Sequence, residues 1–153
     1  MGDVEELARD PLMWFPHDAD AASDPKCRRL IRSMGAAGYG RFWLLCEALA
    51  SEVGHALPAL TANDWENLAV TLDMEDGEEA SEFVAELCAI GLVDVLDGAI
   101  SSARMNGNAV RVGRKRAAGR KGGKAKAENA SSTAKALPYQ SSSTAKALLY
   151  IKK

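Results

Sequence analysis

Two histidines, three cysteines and nine aromatic side chains leave this sequence short of the residue types on which most site chemistry depends. His17 and His55 are far apart, and neither a Cys-x-x-Cys nor a His-x-x-x-His pair occurs. The group His17, Asp18 and Asp20 lacks a third clear ligand, so it reads as a turn whose polar groups bond nearby backbone, and no metal is expected. Cys27, Cys46 and Cys88 are odd in number and lie within apolar helical patterns, which indicates reduced core thiols and not a disulfide framework. No serine sits in a nucleophile elbow, and no glycine loop has Walker spacing with a Lys-Ser or Lys-Thr end. Nucleotide hydrolysis, a cofactor and enzyme activity in general are therefore not expected. No apolar run approaches the roughly 18 residues of a spanning helix. The segment Met1 to Asp10 is acidic without the apolar centre of a leader, and Glu6 stands where a myristoylation signal needs Ser or Thr. These absences point to a cytoplasmic protein with no membrane partner.

What is present is charge, sorted by sign. The net of −2 conceals a body, residues 1–103, with 20 acidic and 6 basic residues, followed by residues 104–153 with 13 basic residues and only Glu128 acidic. An acidic body with a basic arm separates the part that packs from a part suited to a polyanion.

Periodicity predicts four helices in the body. Asp24 caps a first helix with Pro25 at its first position, and Cys27, Leu30, Ile31 and Met34 recur on one face before Gly35 stops it. Gly38 to Val53 is a second, with Tyr39, Phe42, Trp43, Cys46, Leu49, Ala50 and Val53 on one face and Gly54 at its end. After a short extended piece, His55 to Leu60, Thr61 caps a third with Asp64 as capping-box partner, and Trp65, Leu68, Ala69 and Leu72 face one way. A fourth opens at Asp76 and turns Phe83, Val84, Leu87 and Cys88 inward until Gly91. The period then changes to two short strands, 92–96 and 99–102, around Asp97-Gly98, a two-residue hairpin turn.

A helix pair followed by a hairpin, with the extended piece as third strand, is the order of a winged helix. The expected fold is thus mainly α with a small β-hairpin wing. It comprises a winged helix-turn-helix domain over residues 12–104 and a disordered or marginally helical basic tail over 105–153. Glycines 107, 113, 119, 122 and 123 each cost about 1 kcal/mol in a helix, so the tail's helicity would be marginal without a partner. The end holds a direct repeat, residues 131–139 and 142–150, too short and polar for a solenoid, where disorder is expected.

Eight cations, Arg111, Arg114, Lys115, Arg116, Arg120, Lys121, Lys124 and Lys126, form the strongest candidate DNA-binding set. If all eight neutralised duplex phosphates, log affinity would fall against log salt with a slope of about −7. Lys26, Arg28, Arg29 and Arg32 on the first helix form a secondary candidate contact. The fourth helix would be the recognition helix, yet Glu78, Glu79, Glu82 and Glu86 repel phosphate. Its face is better suited to a basic protein partner or a second copy of the chain. Trp14, Trp43 and Trp65 all belong to apolar faces and are read as core.

Several segments together resemble the Lin-like N-terminal domain of phage and prophage replication proteins: Trp14-Phe15-Pro16-His17-Asp18, Asp24-Pro25-Lys26, Gly35 to Glu47 with its Gly-Tyr-Gly, Leu68-Ala69 and Gly91-Leu92. The resemblance covers roughly Leu12 to Arg104, and the Gly119 to Gly123 run is similar to the linker that follows such domains. It implies a winged helix at the front of a replisome-organiser-like protein that marks an origin and recruits a helicase or its loader. Longer relatives continue into a further domain where this sequence ends in a repeat, so a complete loading activity is not expected. The leading expectation is a non-catalytic DNA replication accessory protein whose wing and arm grip DNA through its backbone. The rivals are a protein-interaction adaptor without DNA binding and a winged-helix transcriptional regulator.

Overall fold

The computed structural model describes residues 2–134, which are mainly helical with one small antiparallel sheet. One compact unit closes at Ala117 and a second begins at Ala118.

In the first unit, a short helix α1 (Asp3–Ala8) precedes an irregular extended segment and a single 3-10 turn, Ala21–Ser23. Helix α2 (Pro25–Ser51) starts as its sequence dictates: the Asp24 carboxylate accepts from the amides of Lys26 at 2.9 Å and Cys27 at 3.3 Å. Gly35, with φ of +69° and non-helical geometry, kinks it into the two helical halves expected, the second of which begins immediately after Gly35 and not at Gly38. Gly38 makes the continuation feasible, because a Cβ there would run into the Met34 side chain. Met34 in turn lies on the exposed side and not on the core face. The helix ends at Ser51, two residues short of Val53, which is exposed.

Positive φ at Gly54 and His55 then reverses the chain. The buried His55 ring sets its two nitrogens 3.1 Å from the Leu49 carbonyl and 2.8 Å from that of Ala8, which ties the end of α1 to the end of α2.

Helix α3 (Ala62–Thr71) carries the expected capping box, with the Asp64 amide donating to Thr61 Oγ1 at 3.2 Å. The Thr61 amide, and after it that of Leu60, donates to the Asp64 carboxylate and holds its pKa below the usual range. Helix α4 (Gly77–Ile90) is capped by Asp76 and closed by Gly91 in the left-handed region at φ +88°. Lys26 Nζ donates to the Gly91 carbonyl at 2.8 Å, so α2 latches the loop that ends α4.

Strands β2 (Asp94–Leu96) and β3 (Ala99–Ser101) enclose Asp97 and Gly98. Both turn residues have positive φ, at +52° and +71°, as a type I′ turn demands. Strand β1 (Leu57–Pro58) pairs with β3 through Leu57 to Ile100 and Pro58 to Ala99, giving the order β1-β3-β2 with Pro58 on the outer edge. Leu30, Leu45, Leu49, Leu72, Leu87 and Ile100 are fully buried, so α2, the end of α3, α4 and β3 close a single core. Each such side chain contributes about 1.5 to 3 kcal/mol.

Helix α5 (Ala103–Ala134) is the largest departure from expectation, being continuous where marginal helix or disorder was anticipated. In the first unit the reason is a partner that sequence reading did not supply. Met105, Ala109 and Ala117 are buried, and Gly113 passes so close to α1 that a Cβ there would lie 2.7 Å from the Val4 carbonyl oxygen. In the second unit every side chain from Ala118 to Ser132 is exposed, so helix there rests on the propensity of its alanine, lysine and arginine residues against three glycines. The disorder expected of the terminal repeat falls almost entirely on residues 135–153, outside those described.

Candidate nucleic-acid interface

Helix α5 presents most of the predicted cations to solvent. In the first unit Arg111, Arg114 and Lys115 are exposed, and Arg111 and Lys115, one helical turn apart, share a face. In the second unit Arg120, Lys121, Lys124 and Lys126 are exposed, with Arg120 and Lys124 again one turn apart. None of these seven makes an ion pair among the described residues.

Arg116 is placed differently. Its guanidinium is partly buried, and it donates to the carbonyls of Leu7 at 2.9 Å, Asp10 at 3.3 Å and Pro11 at 2.9 Å. The planar fork thereby collects one carbonyl from the last turn of α1 and two from the segment just beyond it. Arg104, at the start of α5, is paired with Asp18 at 2.8 Å, with both side chains about half exposed.

On α2, Arg28, Arg29 and Arg32 are exposed, whereas Lys26 is engaged with Gly91. Arg29 and Arg32 border a shallow surface shared with Glu86 of α4, which tempers the positive potential there. On α4, Glu78 and Glu82 face solvent, while Glu79 lies 3.6 Å from Arg41 and accepts from the Glu75 amide. The hairpin carries Asp94 and Asp97 and no cation. Its side chain Leu96 and the adjoining Leu60 are exposed. Long-range attraction for a polyanion thus comes from α5 and part of α2, and not from α4 or the hairpin.

His17 does not form a polar turn. Its ring stacks on Trp43 with centroids 3.7 Å apart and planes 11° from parallel, while Asp18 is taken by Arg104. Phe15 is also parallel to Trp43, at 6.0 Å, and Tyr39 meets its edge. Periodicity grouped Tyr39, Phe42 and Trp43 on one face but missed the addition of Phe15 and His17 to them. The available signal was composition, since Trp14, Phe15, Tyr39, Phe42 and Trp43 supply five of nine aromatics in two short segments. Trp43 and Trp65 pack against the core as expected, but Trp14 is 65% exposed. Alternation along the extended lead-in turns Phe15 inward and its neighbour outward.

The three cysteines are free. Burial pushes the Cys46 thiol up to about 12 and raises those of Cys27 and Cys88, so none is a ready nucleophile at neutral pH. Among the described residues no group of three or more His, Cys, Asp or Glu side chains could hold a metal ion. No helix among them is long and apolar enough to cross a membrane.

The family described as Lin1244/Lin1753-like, N-terminal matches residues 14–97. No curated protein and no solved structure matches the chain. The matched segment runs from the aromatic lead-in to the hairpin turn and stops before α5, so the cationic helix lies outside it.

Proposed function

Because the chain belongs to the Lin1244/Lin1753-like, N-terminal family, we propose that it is a non-catalytic DNA-binding accessory protein of phage-type replication, built on a winged helix. Support for the winged helix comes from the order α3, α4, β2, β3 with β1 completing the sheet. The observation that carries the DNA-binding reading is the exposure on α5 of seven cations that make no ion pair among the described residues, in a helix whose one acidic residue is Glu128. Grip is through phosphates, so sequence preference is weak.

The α4 face does not serve as a groove reader in this scheme, because Glu78 and Glu82 would point carboxylates at phosphate. Their exposure favours instead the docking of a basic partner surface, the role we assign to a helicase or its loader.

Anisotropy titrations of duplex DNA at two or more salt concentrations test the proposal. Seven engaged phosphates give a slope of about −6 in log affinity against log salt. Replacing Arg111, Arg114, Lys115, Arg120, Lys121, Lys124 and Lys126 by glutamine is expected to bring the slope close to zero without unfolding the body. An intact chain that binds no DNA at low salt refutes the proposal.

A further inference from the structure

Between the aromatic lead-in, both halves of α2 and the start of α5, the first unit contains a cleft of about 230 Å³. Its walls are mainly apolar, with Phe15, Phe42, Leu92 and Met105 among them, yet one buried side-chain donor beside it lacks a partner among the described residues. Asn108 lines the cleft and is only 8% exposed. Ser102, also buried, accepts from the Met105 amide through Oγ, which leaves its own O–H to donate. Trp43 Nε1 is buried with no acceptor. Leaving a buried donor unmade is costly, and folds retain few such groups, so the Trp43 N–H, with the spare Ser102 O–H on the same cleft, points to a site that takes a guest with acceptor atoms.

The guest's character follows from the rest of the wall. Lys26 and Arg104 offset Asp24 and Asp94, and both cations are already bonded, to Gly91 and Asp18. An anion therefore gains little, and a neutral group fits better. The cleft is smaller than the roughly 300–1,000 Å³ of pockets that take drug-sized ligands, which limits it to one or two fused rings.

Asn108 also borders an open groove shared with the exposed Arg111, so a neutral ring in the cleft and a phosphate on Arg111 can belong to one strand. We infer that this cleft takes a single unpaired nucleobase of a DNA strand whose phosphate rests on Arg111. This deepens the DNA-binding reading and rests on it. Adenine is preferred, because a carboxamide offers a donor and an acceptor side by side, the complement of adenine N7 and N6.

The test uses the full chain and labelled oligo(dA), oligo(dT) and an abasic strand of equal length and charge. Wild type is expected to bind oligo(dA) most tightly and the abasic strand least. Asn108→Leu, checked by thermal melting to be folded, is expected to weaken oligo(dA) about tenfold and leave the abasic strand unchanged. Should Asn108→Leu melt early, Ser102→Ala and displacement of oligo(dA) by oligo(dT) read the same pocket. Equal binding of all three strands overturns the cleft while leaving DNA binding intact, whereas no binding by any strand at low salt removes both. Adenosine bound as tightly as oligo(dA) overturns the strand and assigns the pocket to a free nucleoside.

Discussion

Replacing Arg116 with methionine separates a cation that holds the fold from those that meet DNA. The wild-type guanidinium donates three hydrogen bonds to carbonyls of residues 7, 10 and 11. Bonds from a charged donor contribute about 1.5 to 3 kcal/mol when buried. Only the bond to Leu7 is partly buried; water can replace the donor at the exposed Asp10 and Pro11 carbonyls, and about 0.5 kcal/mol each is a fair discount. Methionine retains most of the apolar stem, so the expected loss is about 2.5 kcal/mol. At about 4 °C per kcal/mol for a unit of this size, that corresponds to a melting temperature about 10 °C lower. Circular dichroism melts read the first number, and the salt slope of duplex binding reads the second, which is expected to stay as in wild type. Arg116→Lys keeps the charge but not the fork, and should recover only a small part of the stability. A variant that melts like wild type but loses about 0.9 of slope would show Arg116 on phosphate and refute the assignment.

Two further outcomes follow from the backbone and from burial. Gly91→Ala places a Cβ at φ +88° and 3.4 Å from Lys26 Nζ, and is expected to cost about 1 to 2 kcal/mol in urea unfolding with unchanged m; a midpoint equal to wild type would remove the argument from strain. Cys46 has a thiol pKa raised from 9.0 to about 12 by burial, so the folded state keeps a proton that the unfolded state releases. Its contribution is complete below pH 9 and declines by about 1.4 kcal/mol per unit as pH rises from 9 toward 12. Cys46→Ala is expected to flatten that alkaline slope, and an unaltered slope would place its cause elsewhere.

The features legible in the sequence are those whose cause is local. Asp24, Thr61 and Asp76 announce helix starts because their side chains bond amides two or three residues on, and Gly91 and Asp97-Gly98 announce reversals because few residues tolerate positive φ. Gly35 was legible as a break between two helices, but not how soon the second one starts, since that depends on the packing of Met34 over Gly38. Contacts over long separations were not legible. The α1–α5 crossing joins Val4 and Ala8 to Gly113, and counting charges grouped Arg116 with seven exposed neighbours because composition does not reveal carbonyls a hundred residues away. Asn108 lies at the start of a segment read as marginal and Ser102 at the end of an expected strand, so nothing marked them as lining a cleft.

Pro58, at the margin of a sheet with only three short strands, bears on how many copies of this protein can share a small volume. A strand arriving from another molecule seeks a free amide to continue the ladder, and at Pro58 it meets a ring in place of one. The opposite margin, β2, begins with the carboxylate of Asp94, which a second β2 carrying the same charge would have to approach. Crowded side by side along a single filament, neighbouring molecules would find both flanks poor templates for cross-β growth, despite the greasy Leu60 and Leu96 beside them.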